Sequence, residues 1–358
     1  MRKIAYVINF IVKGGPSAVV LNMIHNLDRT KYEPILVTLF RGNSPAIIDQ
    51  EKKKGLQIIE CEHQSRLQFI LHGLSEYRSI LKKNHVDIVH GHGFVPDLMN
   101  ARLRNEFKTI NTAHNIMFED YPLNYGKIKG AIYCFAHLWA MERLDQVVCC
   151  SKSVCDVMKK HLSRCQYIEN GIEDFTFERH VSRKSLGLPE DAIIFLYAGY
   201  LIRRKRVSFL VKEFVKNHGP KEYLLILGKG EEESLCRKLA DDHVIFVGFQ
   251  SNPYQYMAIS NVYTSASSSE GFSISVLEAL YCGLCLFLSD IPSHREVIEG
   301  TSKVYLGEYF SKSDFKEKYN KLMQSLSYIQ TDTICSYQRE NLSAVSMMNK
   351  YQELYDKL

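Results

Sequence analysis

Ser267-Ser268-Ser269-Glu270-Gly271-Phe272-Ser273-Ile274-Ser275-Val276-Leu277-Glu278-Ala279-Leu280-Tyr281-Cys282-Gly283 reads as a turn that runs into a short helix. Ser273 stands where an N-cap hydroxyl belongs, just before an apolar run. The run predicts a helix from Ile274 to about Cys282, with Gly283 closing it. Apolar strands flank it, Val262–Ser265 before and Cys285–Leu288 after. Strand, helix and strand in that order require parallel pairing through a right-handed crossover. The start of such a helix carries unpaired N–H groups and a partial positive charge, so it can seat a diphosphate. Glu270 lies just outside the helix, in a loop loosened by Gly271. Glu278 lies a little over one turn inside. Carboxylates at the two ends of that seat can accept hydrogen bonds from hydroxyl-bearing rings. On spacing alone, the same pair also reads as one turn residue and one surface residue.

The pattern of strand and helix extends in both directions. Ala192–Ala198, Tyr223–Leu227 and Val244–Val247 are further apolar strands upstream, with glycines behind them. In the first half, Ile4–Phe10, Glu33–Phe40, Leu56–Glu60, Val86–His90, Thr109–Thr112 and Gln146–Cys150 read as strands. Ala18–Leu27 and Leu67–Asn84 have helical spacing. The fold class is therefore α/β, with two Rossmann-like doubly wound domains. Their expected spans are 1–175 and 185–343, joined near 172–190 around the polar stretch Glu173–Lys184. A last helix, about 344–358, is expected to pack back on the first domain. Open parallel sheets bind ligands beyond the carboxyl ends of their strands. Two of them facing across a cleft would make an interdomain ligand site.

Composition narrows the function classes. A chain of 358 residues with 46% hydrophobic and 24% charged residues is long enough for two cores and is not disordered by composition. The net charge of +5 sits in the first half: residues 1–180 hold 24 Lys/Arg against 19 Asp/Glu, while residues 181–358 hold 21 of each. A basic face suits nucleic acid, an anionic membrane, a phosphorylated substrate or plain solvent. The ten cysteines lie in apolar contexts and read as reduced, buried thiols. Cys282-Gly-Leu-Cys285 has no second pair to complete a zinc site, and no redox-motif context surrounds it to favour a redox role. Met1-Arg2-Lys3 followed by Ile4–Val12 is better explained as a first buried strand than as a leader, since no small-residue cleavage site follows. Gly130–Met141 is apolar, but it contains His137 and is too short to span a bilayer.

Several short motifs together carry a resemblance. Glu270 to Glu278 resembles the Glu-x(7)-Glu signature of glycosyltransferase family 4, of the GT-B superfamily. Gly199-Tyr-Leu-Ile-Arg-Arg204-Lys205 is similar to that family's strand-end glycine and cation element. Leu227-Gly228-Lys-Gly230-Glu resembles its Gly-x-Gly turn, and Val244-Ile-Phe-Val-Gly248-Phe the strand and glycine beside the base. Gly14-Gly15, Asp87-Ile-Val-His90-Gly-His92, Thr112-Ala-His114-Asn115 and Asn170-Gly171-Ile172 follow the family's order. The resemblance runs from about residue 4 to about residue 300. It implies the GT-B fold and retaining transfer of a sugar from a nucleotide-diphosphate donor to an acceptor hydroxyl.

It also implies roles. Glu270 would hold hydroxyls of the transferred ring, helped by backbone N–H groups near Phe272, Ser273 and Ile274. Glu278 would hold the ribose. Arg204 and Lys205 would neutralise the diphosphate, where leaving-group charge grows in the transition state. His114 matches the position whose imidazole lies near the reacting sugar. Gly14 and Gly15 would let backbone approach the phosphates or the acceptor, and Gly199 and Gly248 belong to the donor site. Tyr200 departs from the pattern, because the family commonly has arginine there. His90 and His92 look like a metal pair with no third ligand suggested, and read as strand-end residues.

The chain has no Asp-x-Asp pair, so metal-independent transfer is expected, with Arg/Lys and a helix N-terminus doing the electrostatic work. The expected donor is a uridine diphosphate sugar and the expected acceptor a saccharide, lipid-linked in cell-surface polysaccharide synthesis. No nucleic-acid partner is expected. The expected location is the cytoplasm, with peripheral contact to the inner membrane face through basic residues such as Lys52–Lys54, Lys82-Lys83, Arg102, Arg104 and Lys159-Lys160. Two other readings stand beside this one: a nucleotide-sugar epimerase of the same fold, and a non-catalytic partner subunit, for which Tyr200 speaks. A dinucleotide site fits poorly, because Glu231-Glu232-Glu233 stands where the third fingerprint glycine belongs.

Overall fold

A computed structural model describes residues 1–176, 180–300 and 304–358. The chain divides into two compact units, residues 1–173 with 344–358 and residues 174–343. The polar stretch Glu173–Lys184 lies partly outside the described residues.

The first unit is built on seven parallel strands: β1 (Arg2–Ile8), β2 (Tyr32–Phe40), β3 (Gln57–His63), β4 (Ile88–His92), β5 (Lys108–Ala113), β6 (Gln146–Cys149) and β7 (Gln166–Tyr167). Their order is β3-β2-β1-β4-β5-β6-β7, the doubly wound order with its reversal beside β1. Alternation and β-branching put Ala5, Val7, Ile35, Val37 and Val89 on one buried face, which Tyr77, Leu81, Val95 and Met99 cover from the helices. The closing helix, Ala344–Asp356, belongs to this unit. Its buried Tyr351 and Tyr355 reach the sheet: Tyr355 Oη shares a 2.7 Å bond with His90 Nδ1, and Tyr351 Oη shares one of 2.7 Å with Thr112 Oγ1.

The second unit has six parallel strands: β8 (Ile193–Ala198), β9 (Glu222–Leu227), β10 (Val244–Gly248), β11 (Val262–Ser265), β12 (Cys285–Ser289) and β13 (Gly307–Phe310). Their order, β10-β9-β8-β11-β12-β13, repeats the same winding. An aromatic layer of Phe195, Phe214, Phe287, Phe310, Phe315 and Tyr319 fills one face. The two sheets together are the α/β, twice Rossmann-like architecture expected from the sequence.

Three local features depart from the sequence reading. Leu67–Asn84 is two helices, Arg66–His72 and Leu74–Lys83. The break falls at Gly73, where a Cβ would lie 2.3 Å from the Phe69 ring. The edge strands β7 and β13 were not anticipated. Both are short, with too few residues for alternation to show. Ser273 occupies the N-cap position but makes no side-chain cap bond. Its Oγ instead lies 3.1 Å from Ser275 Oγ.

Candidate active site

In the second unit, strand end, turn and helix start converge. β8 ends at Ala198, and Gly199 follows, its N–H donating to the Leu227 carbonyl at 2.9 Å. Gly228 closes against it at φ 146°, and a Cβ there would lie 1.8 Å from the Gly199 carbonyl oxygen. Only glycine fits that approach. Gly248, at φ 79°, accepts from the Gly228 N–H at 2.9 Å. These three glycines lock the strand ends together, so the chain after Gly199 leaves in a fixed direction. Arg203–Lys205 then forms one 3-10 turn, and Arg206 takes a left-handed φ of 50° before the helix Val207–Asn217.

That turn aims two cations at one carboxylate. Arg204 Nη1 donates to the Ser269 carbonyl at 2.6 Å and to Glu270 Oε2 at 3.1 Å, and Lys205 Nζ bonds Glu270 Oε1. The Arg204 carbonyl in turn accepts from the Ser268 N–H at 2.9 Å. Glu270 is 8% exposed. Burial alone would raise its carboxyl, but the fields of Lys205 and Arg204 outweigh it and bring it down to about 2. Glu270 is therefore ionised at neutral pH. Sequence reasoning had separated the roles of these residues; the structure brings Arg204, Lys205 and Glu270 into one ion cluster.

The helix predicted after Glu270 runs Ile274–Tyr281, with Gly283 at φ 77°. Val276, Leu277, Ala279 and Leu280 bury one face and fix its axis. Phe272 is buried, while Ser273, Ile274 and Glu278 are half-buried. Glu278 Oε1 accepts from Tyr254 Oη at 2.9 Å. The Tyr254 ring stacks on Phe175 with centroids 3.7 Å apart. Tyr263 Oη ties this helix to β8, donating to Ser275 Oγ at 2.7 Å and lying 3.2 Å from the Ala198 carbonyl. Tyr200 points outward, 58% exposed, and its carbonyl accepts from Tyr197 Oη at 2.9 Å.

The remaining predicted residues, Gly14, Gly15 and His114, lie in the first unit, where Gly14 and His114 line a cavity of ≈ 380 Å³ together with His92, Asn115, Tyr121 and Tyr125. Gly14 (φ 96°) and Gly15 (φ 50°) open the helix Gly15–His25. His114 Nε2 lies 3.0 Å from His92 Nδ1. Burial brings the His114 imidazole down to about 4 and holds His92 well below the usual histidine range, so both are neutral near pH 7. His90 is enclosed between Tyr355 and Thr112, which occupy both of its ring nitrogens. It lies inside the strand rather than at its end and serves the core.

Residues that sequence reasoning missed are Tyr254, Phe175, His294 and the Asp97–His137 pair. His294 is buried next to the ion cluster, with Nδ1 2.9 Å from the Ser289 carbonyl. His137 Nε2 lies 2.8 Å from Asp97 Oδ2, and its Nδ1 bonds Tyr121 Oη at 2.7 Å, beside the first unit's cavity. A lone tyrosine or histidine carries no spacing signal, so nothing in the sequence marked them. Cys282 and Cys285 are both pushed up to about 12 by burial, which disfavours thiolate and redox chemistry at that pair.

Both units of the chain match known proteins. Residues 13–174 match the profile of glycosyltransferase family 4, and residues 178–332 match that of glycosyl transferases group 1. An O-antigen biosynthesis glycosyltransferase, WclY of Escherichia coli, is 26% identical over 99% of this chain and 98% of its own length. A second Escherichia coli protein, UDP-Gal:alpha-D-GlcNAc-diphosphoundecaprenol alpha-1,3-galactosyltransferase, is 23% identical over 86% of this chain and 84% of its own. The crystal structure of HepE from Anabaena with UDP-glucose superimposes with a TM-score of 0.82 at 15% identity, covering all of both chains.

Proposed function

This chain belongs to glycosyltransferase family 4, and on that premise we propose that it moves a sugar, with retention, from a uridine diphosphate donor to a hydroxyl of a lipid-linked saccharide in cell-surface polysaccharide synthesis. The observation that carries this reading is the cluster of Arg204, Lys205 and Glu270 at the approach to the helix Ile274–Tyr281. An incoming diphosphate takes up the Arg204 and Lys205 charges, and the helix N–H groups add theirs. As the glycosidic bond breaks, negative charge grows on the leaving phosphate, so these fixed cations stabilise the transition state more than the ground state. Glu270 is then released to accept from the sugar hydroxyls. Glu278 accepts from the ribose, with Tyr254 holding it in place. The acceptor is assigned to the first unit's cavity, where His114 is a neutral hydrogen-bonding group.

The relatives favour this acceptor class: the named activity of one is on a diphosphoundecaprenol-linked sugar, and that of another is in O-antigen biosynthesis. HepE, with the same fold, binds UDP-glucose. Transfer is proposed to be metal-independent, and to take place in the cytoplasm with peripheral contact to an anionic membrane. No helix of the described residues is long and apolar enough to cross a membrane.

A panel of nucleotide sugars, scored by thermal stabilisation and by donor hydrolysis, tests the reading. A true donor at 100 times its dissociation constant adds about 2.7 kcal/mol of stability. Hydrolysis should persist in excess chelator. No stabilisation by any uridine or guanosine sugar would overturn the reading, and a sugar isomerised without acceptor would favour the epimerase.

A further inference from the structure

We propose that the helix Lys127–Met141, with the helix Met117–Tyr125 before it, is the face by which the first unit docks on an anionic lipid bilayer. The proposal rests on the lipid-linked acceptor proposed above and gives it a surface. Ile128, Ile132, Phe135 and Trp139 are 81%, 61%, 75% and 38% exposed. Spacings of four, three and four residues put them on one stripe. The stripe is about 16 Å long at 1.5 Å per residue. Gly130, Cys134, His137, Ala140 and Met141 bury the opposite side against the unit. Leu123 and Tyr125 extend the apolar area, at 58% and 42% exposure. Single exposed apolar residues are ordinary; a contiguous row of this kind marks a binding surface.

Charge selects the partner. The helix Lys127–Met141 carries Lys127 and Lys129 and no acidic residue, while Glu119 and Asp120 lie in the first turn of the helix before it and Glu142 follows it. Arg143 stacks on Trp139 at 4.2 Å. Exposed Lys159 and Lys160 precede His161, whose ring packs 4.3 Å from Phe118 of the same helix pair. Of the other basic residues named from the sequence, Lys52 pairs with Glu60 at 2.9 Å, Lys54 with Glu51 at 2.8 Å, and Lys82 with Glu106 at 2.8 Å. An apolar stripe edged by cations and carrying a tryptophan matches an interfacial helix lying in the plane of anionic headgroups. The surface also adjoins the substrate cavity. Tyr121, Tyr125 and Tyr133 of these helices line the cavity that holds His92 and His114, so an amphiphile arriving from the bilayer meets the apolar wall first.

Trp139 is the chain's single tryptophan, so its fluorescence reports the contact without a label. The full chain should float with phosphatidylcholine vesicles containing phosphatidylglycerol at low salt, with a blue shift of Trp139 emission. It should bind far less at high salt or to phosphatidylcholine alone. The double variant Ile132→Ser/Phe135→Ser, and separately Lys127→Glu/Lys129→Glu, should each weaken binding by about tenfold or more. Both should keep the wild-type melting temperature and donor hydrolysis. Wild-type binding in the serine variant, or Trp139 emission unmoved by vesicles, overturns the proposal. So does a dimer that the serine variant dissociates in the ultracentrifuge without any vesicle binding, because the occupant is then a second copy. A chain that hydrolyses its donor in solution yet ignores vesicles sinks the docking surface alone. One that docks but hydrolyses no nucleotide sugar sinks the enzymatic reading instead.

Discussion

Arg204 Nη1 lies 3.1 Å from Glu270 Oε2 while the same nitrogen holds the Ser269 carbonyl at 2.6 Å. One guanidinium thus fixes both the carboxylate and the backbone that carries it. The cluster is structural before it is catalytic, and this makes a prediction about Glu270→Gln. Removing one member of a buried pair leaves the other charges uncompensated. Arg204 and Lys205 are partly exposed (21% and 16%), which screens the penalty to about 2 kcal/mol. Calorimetry should show the variant melting several degrees lower, and sugar transfer should fall by about 10² or more. A variant that melts like wild type would show that the cations do not depend on this carboxylate.

Tyr254 offers a finer test. Its hydroxyl donates to Glu278 Oε1 at 2.9 Å, and its ring is held by Phe175. Tyr254→Phe removes one hydrogen bond and keeps the stack, so the loss should be about 1 kcal/mol. Titration calorimetry should show nucleotide binding about fivefold weaker, with kcat nearly unchanged. Glu278→Ala should weaken the same binding further. If Tyr254→Phe lowers kcat and leaves affinity intact, Tyr254 does not act through the ribose carboxylate.

How far the sequence carried can be seen in the residues themselves. The strands were legible because apolar runs such as Phe195–Ala198 and Leu224–Leu227 sit between glycines, and parallel pairing follows from the intervening helices. The order of each sheet was not legible, since register is set by packing between distant residues. Glu270, Lys205 and Arg204 were visible through motif order, but their mutual ion pairing was not. That contact spans some 65 residues and depends on the single turn after Gly199. Tyr254 and His294 were invisible for the same reason. Ser273 was legible as a helix boundary and misread as a capping side chain, because Ser275 competes for its hydroxyl.

Gly228 should tolerate no side chain. A Cβ there meets the Gly199 carbonyl at 1.8 Å, and the φ of 146° is closed to other residues. Gly228→Ala must push the Lys205 turn away from Glu270 or separate β8 from β9. A loss of about 2–3 kcal/mol is expected, as for overpacking against backbone, with donor binding lost in whatever folds. Gly14→Ala meets nothing within 4 Å and should cost only its strained φ of 96°, about 1 kcal/mol. Denaturant unfolding of the two variants side by side should keep that ranking.

His114 makes a prediction about pH and rate. Burial brings its imidazole down to about 4, so it stays neutral across the physiological range and contributes no acid limb near the ordinary histidine value. The pH profile of kcat/KM should therefore be flat with respect to this group between about pH 5 and 8. His114→Gln should lower the rate without changing the shape of the profile. A limb centred near 6.5 that vanishes in His114→Gln would show that the residue works as a cation.

The same burial governs stability in acid. His90, His92, His114 and His294 are all held below the ordinary histidine range by burial, the last two at about 4. As pH falls through 6.5 the unfolded chain takes up these protons and the folded chain does not. Stability rises with pH wherever the unfolded state binds more protons, so it must fall steadily from about pH 6.5 to about pH 4. Glu270 adds nothing to that slope above about pH 4.5, because its stabilisation is lost only as pH drops toward 2. His25 opposes it, since bonds to Glu173 and Glu51 raise its value despite burial, and its contribution is lost as pH rises. Four depressed imidazoles against two raised ones, His25 and His218, leave the acid side destabilised. Each depressed imidazole is worth about 1.4 kcal/mol per pH unit within the window. His294→Gln should flatten the measured slope between pH 6 and 5 by about that amount, whatever its effect at pH 7.5. An unchanged slope would place His294 in contact with solvent, where it protonates alike in both states.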